Sequence, residues 1–382
     1  MTLIKYEEVE KIIEGLNLQR PNVIEVDAEN SAGMFLAEDV ASSKDIPDSD
    51  IAAQDGYAVN VHGGNYYQVR ENCDSLDAGE ARYIMTGMKL PEGANSVVRI
   101  EEAKVIENRL YTAKEPRPWG DVERAGEDVK AGEMLLHRGH LITPYDIPLL
   151  LVSGSGKVRV LDVCAGIISI GDELAPYNGV RDSIAPMVRA LMPFARTRYA
   201  VLRDDLDKIK STLLEFSKDC DIILTAGGSS VGKKDLTKKA ITETGTLLFE
   251  GVQTNVLKRG GLGLVNGRPV VVMPGRIVSA AVVFNAEGLH VLSKLIGTEL
   301  RRFAQAELGD DISVKHSMNS TFLFRLSKGI AYPLKWGTGL YSQLAHADAF
   351  GYLERNREYK KGEKITVQLL WNPGHFLPNN LS

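Results

Sequence analysis

VCAGIISI at 163–170, RYAVL at 198–202, DIILT at 221–225 and PVVVM at 269–273 are short apolar runs, separated by helical periodicity near 184–194, 205–217 and 279–296. Runs of this length between turn residues read as strands buried on both faces. Their alternation with helices is the pattern of a mostly parallel sheet covered on both sides. Residues 158–298 are therefore predicted to form a doubly wound α/β domain. Outward from it, 41–136 is rich in turns and short β-type segments (YYQV, ARYIM, SVVRI) and reads as an inserted β-rich domain. Residues 299–382 return to short alternating segments (ISVKH, TFLFRL, FGYLE, KITVQLL) and predict a small C-terminal β domain, closed or sandwiched. Val9, Ile12, Ile13 and Leu16 stand at helical spacing, and Thr143-Pro144 opens a second short helix that ends near Gly154. The pieces 1–40 and 137–157 thus predict a split helical and linker domain, giving α/β plus β in four units.

The chain has 382 residues, 44% hydrophobic and 25% charged, which excludes disordered and fibrous classes. Lys and Arg number 45 against 50 Asp and Glu, a net charge of −5, so no general electrostatic pull toward nucleic acid or an anionic membrane is expected. Cys73, Cys164 and Cys220 are widely spaced, without a zinc-type pattern, and read as buried thiols in a reducing compartment. The opening MTLIKYEEVEKIIEGL has charges threaded through it, unlike a signal peptide, and no window suits a transmembrane helix. A cytoplasmic protein is expected.

In α/β sheets ligands gather beyond the carboxyl ends of the strands, so the residues after each apolar run are the ones to weigh. After DIILT comes Ala226-Gly227-Gly228-Ser229-Ser230-Val231-Gly232-Lys233-Lys234-Asp235. Its glycines, hydroxyls and lysines suit a phosphate or another oxyanion, and equally a bare strand-to-helix turn. It has neither Walker nor dinucleotide-fingerprint spacing. Asp172 and Glu173 follow the first run; with Asp235 they suit Mg²⁺ held beside a phosphate, or simply helix-start acids. Pro274-Gly275-Arg276 leads to Ser279 at a helix start, an anion site or a turn. Lys258, Arg259 and Arg276 add positive charge. Gln54-Asp55-Gly56-Tyr57-Ala58 reads by itself as a turn.

Seven ordered blocks resemble the molybdopterin molybdenumtransferase family, the MoeA proteins and the gephyrin E domain: IPDSDIAAQDGYAV, IMTGMKLPEGANSVV, GEDVKAGEMLLHRGHLITPYDIPLL, IISIGDEL, TAGGSSVGKKD, MPGRIVSA and GLYSQLAHADAFGYL. The resemblance implies an elongated homodimer of four-domain subunits with a molybdopterin-binding α/β domain. It implies Mg²⁺-dependent insertion of molybdate, or tungstate, into adenylylated molybdopterin with release of AMP. A molybdopterin adenylyltransferase and molybdoenzyme apoproteins become the expected partners. Carried over by residue, it implies catalytic roles for Asp55, Glu173, Asp235 and Lys258, the three carboxylates serving as metal ligands. It likewise implies pterin-nucleotide or oxyanion binding by Thr86, Asp128, Gly227, Gly228, Ser229, Ser230, Gly232, Pro274, Gly275, Arg276, Ser279 and Ser342.

The chain departs from the family pattern in several places: D-S-N is Asp182-Ser183-Ile184, the serine and methionine before D-G-Y-A are Ala52 and Gln54, and two loops are rewritten. P-G-N-P-V-S is Pro274-Gly275-Arg276-Ile277-Val278-Ser279, and K-P-G-K-P is Asn255-Val256-Leu257-Lys258-Arg259. Proline fixes φ, so the expected oxyanion pocket is altered more than the carboxylates. Arg259 and Arg276 could supply a planar fork of donors in compensation. The alternative is a diverged, non-catalytic paralogue that binds or carries molybdopterin or the finished cofactor.

Overall fold

A computed structural model describes residues 3–61, 64–228 and 235–373. The chain forms two compact units, one of 25–32 and 36–160, the other of the remainder.

In the larger unit, one sheet carries the strands in the order Ala195–Leu202, Lys157–Ile170, Ile222–Gly227, Arg268–Met273, Gly261–Val265, Gly245–Phe249. The first four are mutually parallel, as the four apolar runs predict. The last two are antiparallel, which makes the sheet mixed. Asn266 and Gly267, both at positive φ (50° and 75°), form the two-residue turn that folds Gly261–Val265 back on Arg268–Met273. Asn-Gly between apolar runs is a strong hairpin signal, and here it identifies the antiparallel edge. Helices Leu206–Asp219 and Leu236–Thr244 pack on one face over a core that includes Ile168, Ile209, Leu213, Phe216, Ile223, Ile241 and Val270. Cys164 and Cys220 meet in that core with their sulfurs 3.3 Å apart, while Cys73 is only partly buried.

The predicted helix at 279–296 runs from Ile277–Val283 through a π-helical turn, Phe284–Gly288, into Leu289–Ile296. It is apolar nearly all round because it is buried nearly all round. The helix Tyr6–Gly15 buries Val9 and Ile13 and packs on Leu289–Ile296. Asn285, in the π turn, accepts from Trp371 N at 2.6 Å and, through its carbonyl, from Gln368 Nε2 at 2.7 Å. These bonds fasten the last β segment to the α/β core. That segment is a closed barrel of Phe303–Leu308, Ile330–Pro333, Ser320–Ser327, Ala349–Leu353 and Lys364–Leu369, one of the two forms the alternation allowed.

The smaller unit centres on a six-stranded sheet in the order Ser96–Arg99, Gly56–Val59, Glu80–Ile84, Tyr66–Val69, Arg109–Thr112, Ala103–Ile106. Alternate residues face opposite sides: Ala58 and Val97 join one core cluster, Val59 and Val98 the other. The helix Asp146–Val152 starts two residues beyond Pro144; Thr143 donates from its N–H and hydroxyl to Asp146 Oδ2 at 2.7 and 2.8 Å.

Candidate functional site

In the α/β unit the strand Ile222–Gly227 ends on two glycines that cannot be replaced cheaply. Gly227 and Gly228 have φ of 93° and 68°, and a Cβ on Gly227 would lie 2.1 Å from Ile170 O. Ser229, Ser230 and Gly232 lie outside the described residues. A Cβ on Gly275 would stand 3.5 Å from the Gly227 Cα, so the turn after Met273 meets the start of the Gly-Ser loop. Two of the three predicted loops therefore converge at one sheet edge.

Asp235 is the N-cap of Leu236–Thr244. Its Oδ1 accepts from Lys238 N at 3.2 Å, and its Oδ2 lies 2.9 Å from Lys238 Nζ. Lys238 is 6% exposed, so this carboxylate is committed to a buried ammonium as well as to the helix end. Glu173 is exposed and folds back on its own turn, its Oε2 2.6 Å from where a Gly171 Cβ would stand.

The Pro274-Gly275-Arg276 turn also meets the barrel. Val278 N donates to Thr338 O at 3.1 Å, and Arg276 reaches Gly339, where a Cβ would stand 2.9 Å from its Nη1. Ser279 is 4% exposed. Of the helix-start N–H groups predicted to be free, that of Val278 is occupied. Ser342 lies in the short helix Tyr341–Ala345 of the same barrel loop, and its carbonyl accepts from His346 N and Nδ1. Tyr341 OH and Ser183 Oγ are 3.1 Å apart, which ties that loop to the turn before Ile184–Leu191.

Lys258 sits half-buried in the turn Leu257–Arg259. The preceding Asn255 accepts from Thr321 N at 2.9 Å, and Val256 lines a small crevice with Val278 and Thr338. The lysine-bearing segment and the Arg276 turn are thus neighbours.

In the β-rich unit Asp55 Oδ1 accepts two bonds from Thr86, its N–H at 2.7 Å and its hydroxyl at 2.8 Å. The backbone N–H first and the hydroxyl second hold the carboxyl below its ordinary range, because both bonds favour the anion. The pairing of Asp55 with Thr86 is brought about by the tertiary structure across thirty-one residues. The turn reading of Asp55-Gly56 is corrected: Gly56 opens the strand Gly56–Val59, paired with Ile84 and Arg99. Glycine is required there because a Cβ would come within 1.9 Å of Val98 O. Gly56→Ala is expected to destabilise the β-rich unit by about 3 kcal/mol; a denaturation midpoint equal to wild type would contradict the close approach. Asp128 is exposed, with its N–H donating to Ile46 O at 3.1 Å.

Among the described residues no group of three or more His, Cys, Asp or Glu side chains is gathered to hold a metal. The donor chemistry suits a hard cation only as single carboxylates completed by ligand phosphates and water. Asp55 and Glu173 fit that description; Asp235 is largely taken up by Lys238.

Two further carboxylates stand out, one half-buried and one fully buried. Asp182 gathers Ser169 Oγ at 2.5 Å, Tyr199 OH at 2.7 Å and the N–H groups of Ile184 and Ala185. It is a structural hub, and the D-S motif before a helix start is the signal that marks it. Glu287 is 0% exposed with neither carboxyl oxygen hydrogen-bonded, and nothing in its sequence context announces that.

Residues 4–154 match the family model described as MoeA N-terminal region (domain I and II), and 166–294 match the probable molybdopterin binding domain. The chain is 31% identical to a Methanocaldococcus jannaschii protein named "Putative molybdopterin biosynthesis protein", covering 94% of this chain and 95% of that one. It is 25% identical to the molybdopterin molybdenumtransferase of Haemophilus influenzae, covering 89% and 92%. A solved molybdopterin biosynthesis MoeA protein of Pyrococcus horikoshii OT3 superposes with a TM-score of 0.75 at 28% identity, covering 96% and 100%. No described helix is long and apolar enough to cross a membrane.

Proposed function

Because the chain belongs to the MoeA family of molybdopterin biosynthesis proteins, we propose that it acts in molybdenum cofactor biosynthesis as a molybdopterin molybdenumtransferase. In this reading it places molybdate, or tungstate, in the dithiolene of adenylylated molybdopterin and releases AMP. The observation that carries the proposal is the convergence of backbone-rich loops at the carboxyl ends of parallel strands. Gly227 meets Gly275 there, Arg276 lies against Gly339, and the Lys258 segment adjoins them. Such loops bring N–H dipoles and a few cations to a dianion without much competing water.

The chain's own residues then divide the work. Lys258 and Arg276 offset oxyanion and phosphate charge, and Arg276 presents a planar fork where the family pattern has asparagine. Gly227, Gly228 and Gly275 leave room for close approach. Asp55, kept ionised by Thr86 in the β-rich unit, and, separately, Glu173 in the α/β unit would each offer a single carboxylate to Mg²⁺ completed by phosphate oxygens and water. The ion would supply charge neutralisation on the leaving phosphate. Asp235 acts chiefly by capping the helix after the Gly-Ser loop. Asp128 in the β-rich unit and, separately, Pro274 and Ser342 in the unit of the α/β sheet and barrel contribute to ligand binding. A homodimer, a cytoplasmic setting, and exchange of ligand with an adenylyltransferase and with molybdoenzyme apoproteins belong to the same proposal.

The test supplies purified protein with adenylylated molybdopterin, Mg²⁺ and molybdate, and follows AMP release and cofactor formation. Turnover is expected, with loss in Lys258→Met. Pterin binding without AMP release would favour the second reading, a carrier of molybdopterin or cofactor. That reading draws support from the buried Ser279 and the occupied Val278 N–H, which leave the helix start a poorer oxyanion site.

A further inference from the structure

Cys164 and Cys220, 56 positions apart in the chain, face each other with their sulfurs 3.3 Å apart and both residues buried. A covalent S–S bond is about 2.04 Å long, so the gap to be closed is about 1.3 Å. The backbone already holds the two residues side by side. Asp221 N donates to Cys164 O at 2.8 Å and Cys164 N donates to Asp221 Oδ2 at 2.8 Å. Cys220 N donates to Phe216 O at 2.8 Å and ends the helix Leu206–Asp219. Closing the gap is therefore a matter of side-chain rotation, with the strands left in register. Gly166, two residues beyond Cys164 on the same face of its strand, keeps the adjoining space open: a Cβ there would stand 3.4 Å from Cys220 Sγ and 2.6 Å from Phe216 Cδ2. The Phe216 ring carries the Arg198 guanidinium 4.4 Å from its centroid, and that side chain is 32% exposed.

A single buried thiol behaves as a small apolar group. Two in contact differ, because one stabilises the thiolate of the other. The Cys220 S–H, as donor, holds the Cys164 thiol below its ordinary value; burial opposes this and the Arg196 guanidinium assists it. The same contact raises the Cys220 thiol. Cys164 is accordingly the attacking thiol and Cys220 the resolving one. We propose that Cys164 and Cys220 form a reversible dithiol–disulfide site whose oxidant is a small hydroperoxide. The Cys164 thiolate attacks one peroxide oxygen, the O–O bond breaks, and the departing hydroxide takes up the proton lost by Cys164 as water. Cys220 Sγ then attacks the sulfenic sulfur, the S–O bond breaks, and the hydroxyl leaves with the Cys220 proton as a second water. Two thiols lose two electrons and one peroxide is reduced to two waters; a small thiol reverses the change by exchange. A transient, redox-sensing pair is the usual form of disulfide in a reducing compartment.

The disulfide would close a loop from 164 to 220 that contains Ile184–Leu191, Ala195–Leu202 and Leu206–Asp219. It lies where the paired stretches of the parallel strands begin, at Val163 with Ala195 and Ala165 with Ile222, away from the loops at their carboxyl ends. Its effect is thus on stability, through the cross-linked unfolded chain. The experiment exposes reduced, folded, full-length protein to hydrogen peroxide, quenches with catalase, then unfolds it in N-ethylmaleimide for mass spectrometry. Oxidised wild type is expected to lose two hydrogens, to label only at Cys73, and to yield a linked peptide pair containing Cys164 and Cys220. Its thermal midpoint rises by about 5 to 10 °C and falls back with dithiothreitol. Cys73→Ala repeats the rise, whereas Cys164→Ala and Cys220→Ala do not show it. The comparison of oxidised with reduced wild type needs no variant, so it holds if either alanine protein folds poorly. Three labelled cysteines after peroxide, sulfinic acid at Cys164 with Cys220 still free, or linkage formed only when peroxide is added to unfolded protein would each overturn the proposal.

Discussion

Replacing Asp55 by Asn is expected to lower kcat/KM for cofactor formation about 100-fold to 1,000-fold, the usual effect of losing one charge-stabilising group in a site. Asparagine retains an oxygen that accepts both Thr86 donors, so the bend before Gly56–Val59 persists and the thermal midpoint stays at the wild-type value. What disappears is the negative charge. Thr86→Val provides the complementary test, because it removes the hydroxyl donor and leaves the carboxylate. The Asp55 carboxyl, held below its ordinary range by the Thr86 N–H and hydroxyl, then moves up toward that range. In wild type the anion persists to lower pH. In Thr86→Val protonation begins at higher pH, so the acidic limb of the rate profile shifts upward. Asp55→Asn within threefold of wild type would remove Asp55 from the chemistry.

The second large effect is on stability. Glu287 is fully buried in the π turn, and burial pushes its carboxyl up from 4.5 to about 8, with Lys238 pulling it only partly back. The folded value lies above the unfolded one. The stability contribution of this group is therefore complete below about pH 4.5 and is lost progressively as pH rises through about 8. Glutamine has no such titration. Glu287→Gln is expected to match wild type near pH 4 and to be more stable by roughly 3 kcal/mol at pH 7, at 1.36 kcal/mol per pH unit. The advantage grows until about pH 8 and then levels. Denaturant midpoints for the two proteins across pH 4 to 9 check it; a constant offset would show that Glu287 does not titrate in the folded state.

Much of the molecule is legible in one dimension. The alternation of VCAGIISI, RYAVL, DIILT and PVVVM with amphipathic stretches specifies the parallel part of the sheet, because burial on both faces demands an unbroken apolar run. The period-two segments after residue 299 specify a small β domain. The seven motif blocks carry the family, and Asn266-Gly267 encodes the hairpin that makes the sheet mixed, a local signal present in the text.

Other properties belong to no segment. Gly56 looks like half of a turn and is a strand residue, since the constraint on it is the Val98 carbonyl of a neighbouring strand. Asp235 looks like a free metal ligand and is engaged by Lys238, whose burial depends on how its helix packs. Cys164 and Cys220 look unrelated and touch. Arg276 stands in a rewritten motif and finds its neighbour at Gly339, in the barrel. Sequence determined periodicity, and with it the elements and the inventory of chemical groups. Tertiary structure decided which groups are desolvated and which meet, because burial and hydrogen-bond partnership depend on residues far apart in the chain.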